Sequence, residues 1–348
     1  MSARLYLDWN ATTPLRPEAR AAMLQAMDLT GNPSSVHHEG RAAKGLVERA
    51  RAQVATALGA DGADVVFTSG ATEAAALICA GRGLKAAAIE HDAVASWCDL
   101  TLPVDADGQV EVPCPEQSAL QIANPETGIM QELPAGLAVS DLTQAFGKIP
   151  FAFNWLDVTA GIVSAHKLGG PKGVGALILK RGIDVEARQK GGGQEMGRRA
   201  GTENVIGIAG FGAAAEAAAR DLESGIWEEI AEIRNILEEA LLAADKQIIS
   251  VGNKGRRLPN TLNVIAPGWK GETQVMVMDL AGFAVSAGSA CSSGKVRGSK
   301  VLRAMGFDEG RAAQCLRVSI GPGISREQVL RFADAWTAAY MRARARAA

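Results

Sequence analysis

No stretch of this 348-residue chain is apolar for the ~18 residues that a membrane span needs, so no membrane-spanning helix is expected. The opening MSARLYLDWNATT has no apolar core of signal-peptide length, and a cytoplasmic location is the expectation. Cysteine is sparse. The five residues Cys79, Cys98, Cys114, Cys291 and Cys315 are an odd set, without CxxC spacing or a neighbouring histidine cluster. That pattern argues against both a disulfide framework and a zinc site. Charge of one sign is missing as well: the formal net charge of -2 gives no basic field for nucleic acid, and the arginines of MRARARAA read as the solvated tip of a last helix. With 47% hydrophobic and 21% charged residues and no biased tract, the composition is that of an ordinary packed protein. At roughly 100 to 200 residues per domain the length suggests two.

Short apolar runs alternate with alanine-rich helical stretches, as in DVVFTSG before ATEAAALICA and in GVGALILKRG after the SAHK turn. This is the pattern of βα units, and the expected class is α/β with a mostly parallel central sheet. Several runs end in small or polar residues, where ligands of open α/β sheets gather. A long helical pattern from about Glu203 to Ala244 breaks near Ser224 and Gly225. Turn residues then cluster in GNKGRRLPN before the new strand TLNVIA. The reading places a large domain at residues 15–245 and a smaller α/β domain at 1–14 with 246–348.

Four segments carry chemistry. In SAHKLGGPKGVGALIL, Ser164, His166 and Lys167 stand at a strand end, and a lysine held there can form a Schiff base with a carbonyl cofactor. In VSDLTQAFGKIP, Asp141 ends an apolar run and Gln144 follows about one helical turn later; a carboxylate so placed can keep a pyridine nitrogen protonated, although it can equally be a helix cap. TSGATE opens a helix with Gly70, Ala71 and Thr72, whose backbone donors and hydroxyl suit a phosphate. IEHDAV sets His91 just after an apolar run, where an imidazole can stack on a ring or move protons. The oddest cysteine is Cys291, in AVSAGSACSSGKVRGS, among serines, glycines and the basic Lys295 and Arg297 that favour a thiolate.

Read in order, LYLDWNATTP, GNPSSVHHEGR, VVFTSGATEAAAL, EHDAV, NPETG, DLTQAFGKIP, SAHKLGGPKGVGAL, GGGQEMGRRAGTENV, GSACSSGKVRGSKVLRAMG and LRVSIG resemble the cysteine desulfurases of the class V aminotransferase group. These are pyridoxal-phosphate enzymes of fold type I, and the long Cys291 segment is similar to that of the nitrogenase and iron-sulfur-cluster branch. The resemblance implies that Lys167 binds the cofactor covalently, Asp141 pairs with its ring nitrogen, Gln144 faces its phenolic oxygen and His91 stacks on its ring. It assigns the phosphate to Ala71, Thr72, Ser164 and His166, with Thr202 reaching across a homodimer, and the substrate carboxylate to Arg317 with Asn124 lining the site. The implied reaction takes sulfur from L-cysteine onto Cys291 as a persulfide, leaves L-alanine, and passes the sulfur to an acceptor protein, such as an iron-sulfur scaffold. The stretch between Thr72 and Asn124 is shorter than is usual in that family. Two rivals remain open on the residues alone: a related class V enzyme, such as a selenocysteine lyase or a small amino-acid aminotransferase, and a non-catalytic scaffold that kept the fold.

Overall fold

The run DVVFT forms the strand Asp64–Thr68 and ATEAAALIC the helix Ala71–Cys79, the first of the expected βα units. The computed structural model describes residues 4–288 and 298–347. Its central sheet has five strands in the order Asp64–Thr68, Gly175–Leu179, Val158–Ser164, Leu137–Asp141 and Ala119–Gln121. Gly175–Leu179 runs antiparallel to both neighbours, and the other four strands are parallel to one another. The expected α/β class, with a mostly parallel sheet, is the one observed.

Strands such as GALIL are apolar at every position because both faces of the sheet are covered. Successive side chains point to opposite faces. Ala176 and Ile178 therefore join one core with the helices His38–Ala57 and Val205–Glu223, while Leu177 and Leu179 join another with the helix Ala71–Cys79. The long helical pattern does break where its sequence predicts. Val205–Glu223 ends and Ile226–Leu242 begins around Gly225, whose φ of 77° suits glycine.

A second sheet, antiparallel throughout, orders Ser286–Ala287, Cys315–Ser319, Thr261–Ile265 and Ile249–Ser250. Its core draws on the helices Ile226–Leu242, Gly271–Leu280 and Arg326–Ala347, and on Leu5 and Leu7 from the start of the chain. Within it, Trp336 stacks on Tyr340 at 5.2 Å. We propose the division 15–245 and 1–14 with 246–348 as the two folding units, with Ile226–Leu242 the bridging helix that leaves the first and packs on the core of the second.

Ion pairs tie the GGGQEMGRRAGT segment to the central sheet and its covering helices: Arg198 pairs with Asp64 of the strand Asp64–Thr68, and Glu195 with Arg51 of the helix His38–Ala57. Glu195 is buried and accepts two bonds from Arg51, at 2.8 and 3.0 Å, and one from the backbone N–H of Phe67 at 2.9 Å. Its φ of 49°, and 59° at Met196, put two non-glycine residues in the left-handed region, a conformation that these bonds must hold. Glu195→Ala leaves a buried N–H unmet and takes two bonds from a mostly buried guanidinium that keeps Glu48 and the Val65 carbonyl, so it should destabilise by about 2 kcal/mol. Urea unfolding followed by fluorescence measures this; a loss below about 1 kcal/mol would mean that the segment is held by other contacts.

Candidate active site

Four strand ends of the central sheet open on the same side, as the parallel arrangement requires. From them come Thr68 and Ser69, Asp141, Ser164 with the turn Ala165–Lys167, and the segment that follows Gln121. Lys167 is half-buried and its Nζ donates to the carbonyls of Asn10 and Ala11, each at 2.7 Å. Asp141 accepts the Thr143 N–H at 2.9 Å. His91 precedes the short helix Asp92–Ala95, and its Nδ1 accepts the Ala93 N–H at 3.1 Å, which leaves Nε2 as the protonated nitrogen of the neutral ring. Burial lowers the His91 pKa, with Asp141 opposing and Lys167 adding to the shift. The three groups therefore share one electrostatic environment.

The helix Ala71–Cys79 points its first turn at this opening. Its first helical bond is Ala74 N–H to the Gly70 carbonyl, so the N–H groups of Ala71 and Thr72 have no partner within the helix, and Gly70 provides no side-chain cap. Ser164 lies opposite, its Oγ about 3.9 Å from where a Gly70 Cβ would sit. Close approach is built in: a Cβ on Gly175 would lie 2.6 Å from the Val163 carbonyl and 2.7 Å from the Gly70 Cα. His166 contacts Thr12 Oγ1 at 3.1 Å, and burial followed by the charge of Lys167 pushes its pKa down to about 4, so the ring is neutral near pH 7. Open helix N–H groups, a serine and a neutral imidazole beside a lysine fit a phosphorylated aldehyde such as pyridoxal phosphate.

Thr202 is exposed and lines a cavity of about 240 Å³ with Ser69 and Arg199. Arg199 binds Glu73 at 2.8 Å, and Glu73 in turn accepts the Ser69 N–H at 2.6 Å. The turn at residues 199–202 is thus fastened to the start of the helix Ala71–Cys79.

The second sheet contributes Arg317, from Cys315–Ser319. It is buried, pairs with Asp8 at 2.6 Å and donates to the Pro125 carbonyl at 3.1 Å, while its Nε has no hydrogen-bond partner among the described residues. Asn124, buried, donates to the Ile89 carbonyl at 3.0 Å and accepts the N–H groups of Glu126 and Thr127 at 2.9 Å. It thereby holds the NPETG turn against the segment leading to His91. Gln144 is buried too; its Nε2 donates to the Asn10 carbonyl at 3.0 Å, and its Oε1 accepts from Lys148 at 2.7 Å. Cys291 lies outside the described residues. Among the described cysteines, Cys79 and Cys315 are buried and Cys98 and Cys114 are half-buried. No group of three or more His, Cys, Asp or Glu side chains among the described residues could hold a metal ion.

Sequence reasoning passed over Asp8, Asn10, Glu126 and Lys148. Lys148 carried a signal in its spacing, four residues after Gln144, and the bonds from Phe146 N–H to Leu142 O and from Ile149 N–H to Ala145 O wind that stretch helically. Asp8, Asn10 and Glu126 belong to recognised motifs, yet nothing local announces their distant partners.

The chain belongs to the class-V aminotransferase family, which it matches over residues 5–96 and 119–332. The unmatched residues 97–118 fall within the short stretch between Thr72 and Asn124. Its relatives in that family include proteins named cysteine desulfurase. One, from Cereibacter sphaeroides, is 38% identical over 91% of this chain and 90% of its own length. Another, the cysteine desulfurase IscS of Dictyoglomus turgidum, is 35% identical over 94% of this chain and 92% of its own. Among solved structures, a NifS-like protein from Rickettsia africae is similar with a TM-score of 0.88 and 31% identity, covering 97% of this chain and 99% of that one. The SspA protein, solved in complex with cysteine, is similar with a TM-score of 0.76 and 25% identity over 91% of this chain and 99% of that one.

Glu126 gives a pH-dependent prediction. Burial raises its carboxyl pKa from 4.5 to about 7, against the pull of a hydrogen bond with Ser299 and the charge of Arg317. A raised acid favours the protonated folded state, so its contribution is full below pH 4.5 and is lost as pH rises through 7. Glu126→Gln removes the charge and should match the wild type near pH 4 but gain up to about 3 kcal/mol by pH 8. Denaturant unfolding at the two pH values reads the difference; a variant equally destabilised at both would show that the carboxyl is ionised throughout.

Proposed function

We propose that the chain is a pyridoxal-phosphate-dependent cysteine desulfurase, taking sulfur from L-cysteine onto Cys291 as a persulfide and leaving L-alanine. The observation that carries this is the meeting of Lys167, Asp141 and His91 at the strand ends, with the half-satisfied guanidinium of Arg317 among the residues brought in from the second sheet. When bound, pyridoxal phosphate supplies the electron sink. Lys167 attaches it and moves the substrate α-proton. Asp141 holds the proton of the ring nitrogen, Gln144 donates to the phenolic oxygen, and His91 lies against the ring and assists proton transfer. Ala71, Thr72, Ser164 and His166 hold the phosphate, with Thr202 of the partner subunit completing its shell in a homodimer.

Arg317 takes the substrate carboxylate, with Asn124 lining that end of the site. A planar guanidinium favours such a group, and its unpaired Nε–H is the donor available without breaking an existing bond. The Cys291 thiolate attacks the sulfur of bound cysteine, forming an S–S bond as the C–S bond breaks. The persulfide then passes to an acceptor protein of iron-sulfur-cluster assembly or thiolation. A cytoplasmic location belongs to the same reading. What supports it is the ordered set of family motifs, the cysteine desulfurase relatives and the donor geometry.

Two variants test the assignment. Lys167→Ala should abolish covalent attachment of pyridoxal phosphate and all turnover, read by borohydride trapping and sulfide release; trapping at another lysine with activity intact would sink the Lys167 role. Cys291→Ser should still bind the cofactor and change its visible spectrum on addition of cysteine, while alanine and sulfide production fall to background, because a serine hydroxyl is barely ionised near neutral pH. Alanine formed at the wild-type rate would make Cys291 a bystander and favour a lyase that needs no thiol.

A further inference from the structure

Lys148 is only 1% exposed, and the reaction as described makes no use of it. A lysine is seldom buried so completely without a partner charge. Here its Nζ donates to Gln144 Oε1 at 2.7 Å and to Asn10 Oδ1 at 3.3 Å, and no carboxylate pairs with it among the described residues. The charged groups that bear on it, Lys167 and Arg317, are both cationic and add to the effect of burial, which pushes its pKa well below the usual lysine range. A neutral amine has two N–H groups, and this one has two acceptors.

The arrangement closes a ring. Gln144 Nε2 donates to the Asn10 carbonyl at 3.0 Å, the same oxygen that Lys167 Nζ reaches at 2.7 Å. Both ends of the Gln144 carboxamide are therefore held, its oxygen by Lys148 and one hydrogen by Asn10, and one N–H remains to meet a ligand. We propose that Lys148 is a positioning residue, which keeps the Gln144 oxygen turned inward so that this remaining N–H faces the phenolic oxygen of the cofactor. The proposal rests on the reading of Gln144 as the partner of that oxygen. Without Lys148 the buried Gln144 oxygen has no donor, and the amide is drawn away from the cofactor to find one.

A phenolate that loses a donor holds its neighbouring proton more tightly, so the visible absorbance of the loaded enzyme should titrate at higher pH. The experiment is a pH titration of that absorbance in wild type, Lys148→Met, Gln144→Ala and the double variant, with pyridoxal phosphate bound. K148M should raise the midpoint by about half a unit, roughly a threefold change in proton affinity, Q144A by at least as much, and the double variant no further than Q144A. Lys148→Gln, which keeps an N–H donor, should stay near the wild-type midpoint, and Lys148→Ala carries the expectation of K148M if that variant does not fold. An unmoved midpoint in the Lys148 variants beside a shift in Q144A, or additive shifts in the double variant, overturns the role of Lys148 and leaves that of Gln144 standing. No shift in Q144A removes both.

Discussion

The backbone carbonyl of Asn10 accepts Lys167 and Gln144, while its side chain accepts Lys148 and Asn260 and donates to Thr261 and the Pro125 carbonyl. Its N–H reaches Ser319. One buried residue of the N-terminal segment thus touches the lysine turn, the strand-end glutamine, the NPETG turn and two strands of the second sheet. The relative placement of Lys167 and Arg317 depends on this junction, because Arg317 stands on Cys315–Ser319 of the second sheet and Lys167 in the turn that follows Val158–Ser164 of the central one. Asp8, two residues earlier, pairs with Arg317, so the same segment also sets the orientation of the guanidinium.

Polar groups so deeply buried are favourable only when every member finds its partner. In this knot most do: Asn260 donates to Asn10 and to the Ile320 carbonyl, and Thr261 donates to Asn260. Two members are incomplete among the described residues. Arg317 Nε is unbonded, and Glu90, next to His91 and fully buried, has one carboxylate oxygen without a partner. Burial raises the Glu90 pKa well above the ordinary carboxylate range, which favours a neutral carboxyl. Satisfied interior bonds therefore fix the scaffold.

Much of this architecture is legible in the sequence alone. The strands Asp64–Thr68 and Gly175–Leu179 and the break at Gly225 follow from apolar run length and turn chemistry, which are local. The strand-end positions of Asp141 and Lys167 are legible because each follows an apolar run, whereas His91 follows Lys85–Ala87 of a separate two-stranded sheet. Asn10 is not legible, because its role arises from contacts across 138 residues, and Lys148 shows only in its spacing from Gln144, where a lysine otherwise reads as surface. The helix Ile226–Leu242 is a subtler case. Its apolar spacing predicts a buried face, but only the fold shows that Trp227, Ile230, Leu237 and Leu241 face the second core.

The Asp8–Arg317 pair bears on how a substrate enters. Arg317 has one terminal nitrogen on Asp8 and the other on the Pro125 carbonyl, so an incoming carboxylate meets a guanidinium that is already partly neutralised. Two anions on one arginine repel unless they take different edges. Asp8 has a second partner in Ser286 at 2.9 Å, and Ser286 belongs to the strand Ser286–Ala287, just before the segment that contains Cys291. A carboxylate that displaces Asp8 from Arg317 leaves it bonded to Ser286, whereas one that takes the Nε edge leaves both bonds in place. Arg317, the carboxylate ligand of the proposed reading, is thus joined to the strand that precedes Cys291 in two ways, by its ladder pairing with Ser286 and through Asp8.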